Sequence, residues 1–185
     1  MEEKKVKGTM LLDFVKMVKV HKNLDWNKHL KPEDWEIINS IILPSKWYPL
    51  DFFKRCSTAA FVLLAGSNLD MARANGQMMA KHLFETTYKT VVQSNDPMRA
   101  LSQFVANYAT LFNFSLLKLE KIDPKHANVL HDYDTRDKGN IAYCHQMMGM
   151  FETMVQMTGG KDCKVILAKK QWEGAPATVF DITWQ

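Results

Sequence analysis

The chain has 185 residues, of which 46% are hydrophobic and 24% charged, and a formal net charge of +4. That is the length and composition of one globular domain with a sizeable core, not of a disordered or fibrous chain. No apolar run reaches the length of a bilayer span, since Phe61 to Ala65 is far too short, and the start MEEKKVKG lacks the apolar stretch of a secretory signal.

The charge is unevenly placed. Residues 1 to 31 carry Lys4, Lys5, Lys7, Lys16, Lys19, Lys22, Lys28 and Lys31 against Glu2, Glu3, Asp13 and Asp25, and the remainder balances. A basic face of this kind suits an acidic partner or an anionic surface, and its simpler reading is a solvated lysine-rich helix. Basic residues are not interleaved with aromatic ones, so nucleic acid is not an expected partner. The three cysteines, Cys56, Cys144 and Cys163, are odd in number and lack metal-ligand spacing. They fit reduced thiols in a cytoplasmic setting.

Taken in chain order, Leu11, Leu12, Phe14, Val15 and Val18 share one side of a helix predicted from Thr9 to Val20, with lysines on the other side. Pro32 suits the first turn of a second helix carrying Trp35, Ile38, Ile41 and Ile42, and Pro44 ends it. Pro49 begins a third, through Phe52, Phe53, Cys56 and Ala60, which stops at Gly66-Ser67-Asn68. A fourth is predicted from Asp70 to Val91, with small residues Ala72, Ala74, Gly76 and Ala80 that let a neighbour approach. Asp96-Pro97 opens a fifth through Leu101, Phe104 and Tyr108.

Alternation then replaces the helical period. Phe112 to Ile122 reads as a strand, Asp123-Pro124 as a turn, and Ala127 to Tyr133 as the return strand. The stretch from Asn140 to Trp184 organises the rest. Asn140 reads as an N-cap and Gly159-Gly160 as the stop of a helix bearing Ile141, Cys144, His145, Met148, Phe151 and Val155. Lys164 to Gln171 and Thr178 to Trp184 alternate as the arms of a hairpin turned at Gly174-Ala175-Pro176. Gly149 within that helix costs about 1 kcal/mol relative to alanine, so it marks either close packing or room for a ligand. No repeat or linker divides residues 1–185, which read as a single domain.

Catalytic signatures are missing. There is no GxSxG, P-loop or GxGxxG, and Ser57 has no evident base, so an enzyme is not expected. Cys144 and His145 are adjacent on a helix and point about 100° apart, which argues against a shared metal. His126 and His131 fall on opposite faces of a regular strand, with the same consequence. Asp132, Asp134, Asp137 and Gly139 resemble a calcium loop only superficially, because Tyr143 stands where a bidentate glutamate belongs. No metal site is expected. The five methionines Met147, Met148, Met150, Met154 and Met157 spread over more than one face of a helix, as in an irregular core or an apolar pocket.

Lys7-Gly8-Thr9 before an amphipathic helix, the Gly76 helix, and the order of two strands, a helix with internal Gly149 and a last hairpin resemble the heme nitric-oxide/oxygen-binding (H-NOX) domains. The helix-plus-sheet core is also similar to that of 4-vinyl-reductase-like domains. Trp47-Tyr48-Pro49-Leu50, Ala72-Arg73-Ala74-Asn75-Gly76 and Asp181-Ile182-Thr183-Trp184 resemble an uncharacterised paralogous family of myxobacterial type. The resemblance implies an α+β fold: amino-terminal helices packed on a carboxy-terminal four-stranded antiparallel sheet with one covering helix.

The heme ligands do not carry over. Asp96 to Thr110 holds no histidine where such a domain ligates iron, and Tyr133-Asp134-Thr135-Arg136 lacks the Tyr-x-Ser-x-Arg spacing that holds the propionates. No heme or other cofactor is therefore expected. The resemblance implies a cavity between helices and sheet. Phe14, Val15, Phe104, Tyr108, Phe112, Met148 and Phe151 are the expected walls of a site there for an acyl chain or other hydrophobic small molecule or lipid. Cys56 is a lipidation candidate by likeness to related transport-complex folds. The alternatives are a dimeric protein–protein scaffold and a divergent heme-based gas sensor.

Overall fold

The computed structural model describes residues 3–86, 89, 93, 95–132 and 138–185. Its larger sheet is four-stranded and antiparallel, with β3 (Leu117–Asp123), β4 (His126–His131), β5 (Lys164–Lys169) and β6 (Thr178–Thr183) in the order β3-β4-β6-β5. Alternation decides which face is covered. Ala127, Val129 and His131 of β4 and Phe180 and Ile182 of β6 are buried, while Asn128 and Asp181 between them are only partly so. In register, Val129 sits opposite Phe180, and Phe180 opposite Leu167, so one row of apolar side chains crosses the sheet. The hairpin arms are shorter than their alternation suggested, because Gln171–Glu173 coil into a 3-10 turn before Gly174.

Six α-helices are described: α1 (Leu12–Val20), α2 (Pro32–Asn39), α3 (Leu50–Leu63), α4 (Leu69–Thr86), α5 (Pro97–Ala109) and α6 (Lys138–Met157). α6 covers the sheet and carries α4, α3 and α5 against it. This explains its composition. A helix buried on several sides cannot be amphipathic, and Met147, Met148, Met150, Phe151, Met154 and Val155 are all buried. The glycine stop is as expected: Gly159 has φ +95°, a backbone region that side chains rarely adopt. Asn140, however, lies in the first turn of α6 and not before it, with 2% exposure.

Three further expectations are corrected. Residues 8–10 form a 3-10 turn, so α1 starts at Leu12. α2 stops at Asn39, where Ser40 turns extended (ψ 172°), and Ile41 is left 84% exposed. Phe112 does not join β3. It makes one bridge to Val6, while the Asn113 carboxamide accepts from the Lys5 amide (2.6 Å) and donates to the Glu3 carbonyl (2.9 Å). Such side-chain bonds to backbone offer an alternative to the ladder. They also tie Phe112 to a small second sheet that alternation did not reveal, β1 (Lys5–Lys7) paired with β2 (Trp47–Pro49). The predicted extensions of α4 beyond Thr86 to Val91 and of β4 to Tyr133 run into residues outside those described.

Candidate functional site

The interior between α5, α6 and the sheet is aromatic because three local periods converge there. On α5, Leu101, Phe104 and Tyr108 recur at helical spacing and are buried. On α6, Tyr143, Met147, Phe151 and Met154 do the same. From β4 and β6 the inward positions supply His131 and Phe180. The rings touch in an unbroken series. Phe14 meets Phe53 at 5.6 Å between centroids, Phe53 meets Phe112 at 6.4 Å, and Phe112 meets Tyr108 at 5.5 Å. Tyr108 stacks on Phe104 at 5.1 Å, Phe104 packs edge-on against Phe151 at 5.8 Å, and Phe151 against Phe180 at 5.3 Å. Edge-to-face contacts of this kind add to the area each ring buries.

All seven sequence-predicted wall residues belong to one continuous core: Val15, Phe104, Tyr108, Phe112, Met148 and Phe151 are buried, and Phe14 is half-buried against it. The sequence reading missed the polar centre among them. The hydroxyls of Tyr108 and Tyr143 are hydrogen-bonded to each other in the interior. The His131 ring lies 5.7 Å from that of Tyr143 and 6.3 Å from that of Phe180. Burial pushes the His131 imidazole down to about 3, so it is neutral at pH 7. Burial likewise pushes the Tyr108 phenol up, opposed by its bond to Tyr143. One signal could have found His131: it is in phase with Ala127 and Val129 on β4.

Other chemical groups are dispersed. Cys56 is 1% exposed on α3, and burial pushes its thiol up, as it does that of Cys144. His145 is half-buried, and desolvation and then Arg73 lower its pKa. His126 is on the opposite face of β4 from His131 and meets Asp181 at 2.9 Å. Among the described residues, no three His, Cys, Asp or Glu side chains gather as a metal site. No helix of the described residues is long and apolar enough to cross a membrane. Tyr133-Asp134-Thr135-Arg136 and Asp137 lie outside the described residues.

Comparison with solved structures places this architecture. The chain is similar to the Fe(II) unliganded H-NOX protein from K. algicida, with TM-score 0.64, 11% identity, and 97% of this chain and 96% of that one covered. It is also similar to an H-NOX protein from S. oneidensis in the Fe(II)NO ligation state, with TM-score 0.63, 13% identity and coverage of 97% and 99%. A mutant form of T. Tengcongensis H-NOX matches with TM-score 0.57, 11% identity and coverage of 97% and 97%. The fold is thus H-NOX-like over nearly the whole chain. No curated protein matches. The family model described as "Protein of unknown function (DUF2378)" matches residues 41–185, which include the aromatic interior apart from Phe14 and the whole four-stranded sheet, and the chain belongs to that family.

Proposed function

We propose that the protein is a non-enzymatic ligand-binding or sensory module that takes an acyl chain or another apolar small molecule into its aromatic interior. The hydroxyls of Tyr108 and Tyr143 would receive the polar end of that molecule, and Phe104, Phe112 and Phe151 would flank its apolar body. One observation carries the reading: a polar pair, with a neutral histidine beside it, is set within an otherwise apolar interior. Convergent polar groups in an apolar surround are the usual design of a small-molecule site. Each buried CH₂ of a ligand would contribute about 0.8 kcal/mol. The rings now touch one another, so a ligand enters by parting α5 from α6.

The similar H-NOX proteins are Fe(II) forms. The residues present here do not fit a heme. α5 carries no histidine, and the rings of Phe104, Tyr108 and Phe112, in contact at 5.1 and 5.5 Å between centroids, occupy the space beside it. A Soret band after reconstitution with heme would favour the gas-sensor alternative over an acyl ligand.

Native and denaturing mass spectrometry of the purified protein test the proposal. The expected result is a non-covalent mass lost on denaturation, together with saturable binding of the fluorescent fatty acid cis-parinaric acid. A bare protein that leaves that probe unbound overturns it. A scaffold role has one observation in its favour: Met71 and Met78 of α4, two turns apart on one stripe, are 52% and 66% exposed. A dimer in light scattering that Met71→Lys and Met78→Lys together abolish would support that reading, and a monomer would remove it.

A further inference from the structure

Away from the aromatic interior, a cavity of about 210 Å³ opens between the end of α1, the turn after it and α2. Its apolar lining is Val18, Leu24, Ile38 and two tryptophans, Trp26 and Trp35. Both indoles are pinned by their N–H groups. Trp26 Nε1 donates to the His21 carbonyl at 2.8 Å, and Trp35 Nε1 donates to Asn27 Oδ1 at 2.9 Å. With the N–H edges used, what the rings offer the cavity is apolar surface.

Lys19, Lys22, Asn27 and Asn39 complete the wall, and no acidic residue lines it. Both lysines are exposed, and neither forms an ion pair among the described residues, whereas nearby Lys28 is held by Asp25 at 3.1 Å. They belong to the amino-terminal excess of lysine that the aromatic interior does not use.

We propose that this cavity binds a small carboxylate with a flat apolar body. The body lies against the indoles, and the carboxylate meets the Lys19 and Lys22 ammonium groups. The size follows from the volume, which is below the ~300–1,000 Å³ of sites for drug-sized ligands and suits a single ring with a short substituent. The charge follows from the donors. Two ammonium groups and no acidic residue in the lining favour an anion. The carboxyl end of the α1 dipole, which is partly negative, opposes any anion there, a dianion more than a monoanion, so the single charge of a carboxylate is the better match. The site is independent of the aromatic interior and stands whether or not that interior takes a ligand.

The test is a fluorine NMR titration of the whole protein at low salt with 4-fluorobenzoate and its neutral analogue 4-fluorobenzamide. Saturable binding of the acid is expected, weakened about tenfold in the Lys19→Gln/Lys22→Gln double variant and about as much for the amide. Both lysines are exposed, so that variant keeps the fold, which an unchanged circular dichroism spectrum verifies. Absence of saturable binding by the unaltered protein up to about 10 mM acid overturns the proposal. Equal affinity for acid and amide, or for the two proteins, overturns it as well.

Discussion

Gly76 of α4 and Gly149 of α6 form a reciprocal close approach between two helices. A Cβ on Gly76 would stand 1.9 Å from the Gln146 carbonyl oxygen, and one on Gly149 would stand 2.1 Å from the Arg73 carbonyl oxygen. Each glycine meets the backbone one turn before the other, so neither position can hold alanine without moving a helix. Arg73 and Gln77 on α4 then reach Glu152 on α6, with Arg73 Nε and Gln77 Nε2 each 3.1 Å from its carboxylate. Gly149→Ala should destabilise the fold by about 2–3 kcal/mol through overpacking, although alanine favours an isolated helix by about 1 kcal/mol. The thermal midpoint should fall by roughly 5–10 °C. A midpoint that rises would mean that the helices are not held this close.

Asp34 is the group that fastens α2 to α3. It is fully buried, accepts from the Lys31 amide at 2.8 Å, and takes both arms of Arg55, at 2.7 and 2.6 Å. The Arg55 guanidinium is held above its ordinary pKa by that bond. Asp34→Ala should cost about 2–4 kcal/mol, because it leaves a half-buried cation without its anion and the Lys31 amide without its acceptor. Urea unfolding measures this, and a loss below about 1 kcal/mol would put the pair in the class of surface ion pairs.

His131 should make stability depend on pH. Its pKa is 6.5 ordinarily and about 3 in the fold, lowered by burial. Between those values the unfolded chain holds a proton that the folded chain excludes. The contribution is therefore complete above pH 6.5 and is lost as pH falls toward 3, at a limiting slope of about 1.4 kcal/mol per unit. Urea midpoints from about pH 7.5 to about pH 4.5 should decline, and His131→Leu should flatten the decline even if it lowers stability overall. An identical slope in that variant would assign the acid sensitivity to other groups.

Tyr108 and Tyr143 should show coupling in a double-mutant cycle. Tyr108→Phe or Tyr143→Phe takes one hydroxyl from the buried pair and should cost about 1–2 kcal/mol. The double variant, which removes both polar atoms together, should cost less than the sum of the two singles, by about 1 kcal/mol. Strict additivity in chemical denaturation would mean that the bond contributes nothing net.

Local rules explain what was legible beforehand. Pro97 opens α5, with Asp96 accepting from the Arg99 amide at 3.0 Å, and the inward positions of β4 and β6 keep period two. Dihedral preference, side-chain period and proline chemistry act over a few residues, so they can be read along a chain. Phe112 shows where this stops. Its alternation with Phe114 is strand-like, yet contacts with Val6, Phe53 and Tyr108 draw it into the core.

Residue patterns along the chain set the order of the six helices and of β3 to β6, the inward faces of the four-stranded sheet, and the lack of a histidine on α5. Only the tertiary structure decided that β1 joins β2, that two glycines let α4 and α6 meet, and that Tyr108, Tyr143 and His131 converge within the aromatic interior. The physical reason is range. Those features depend on which surfaces remain after packing, and the partners are separated by a dozen residues or more that no local period connects.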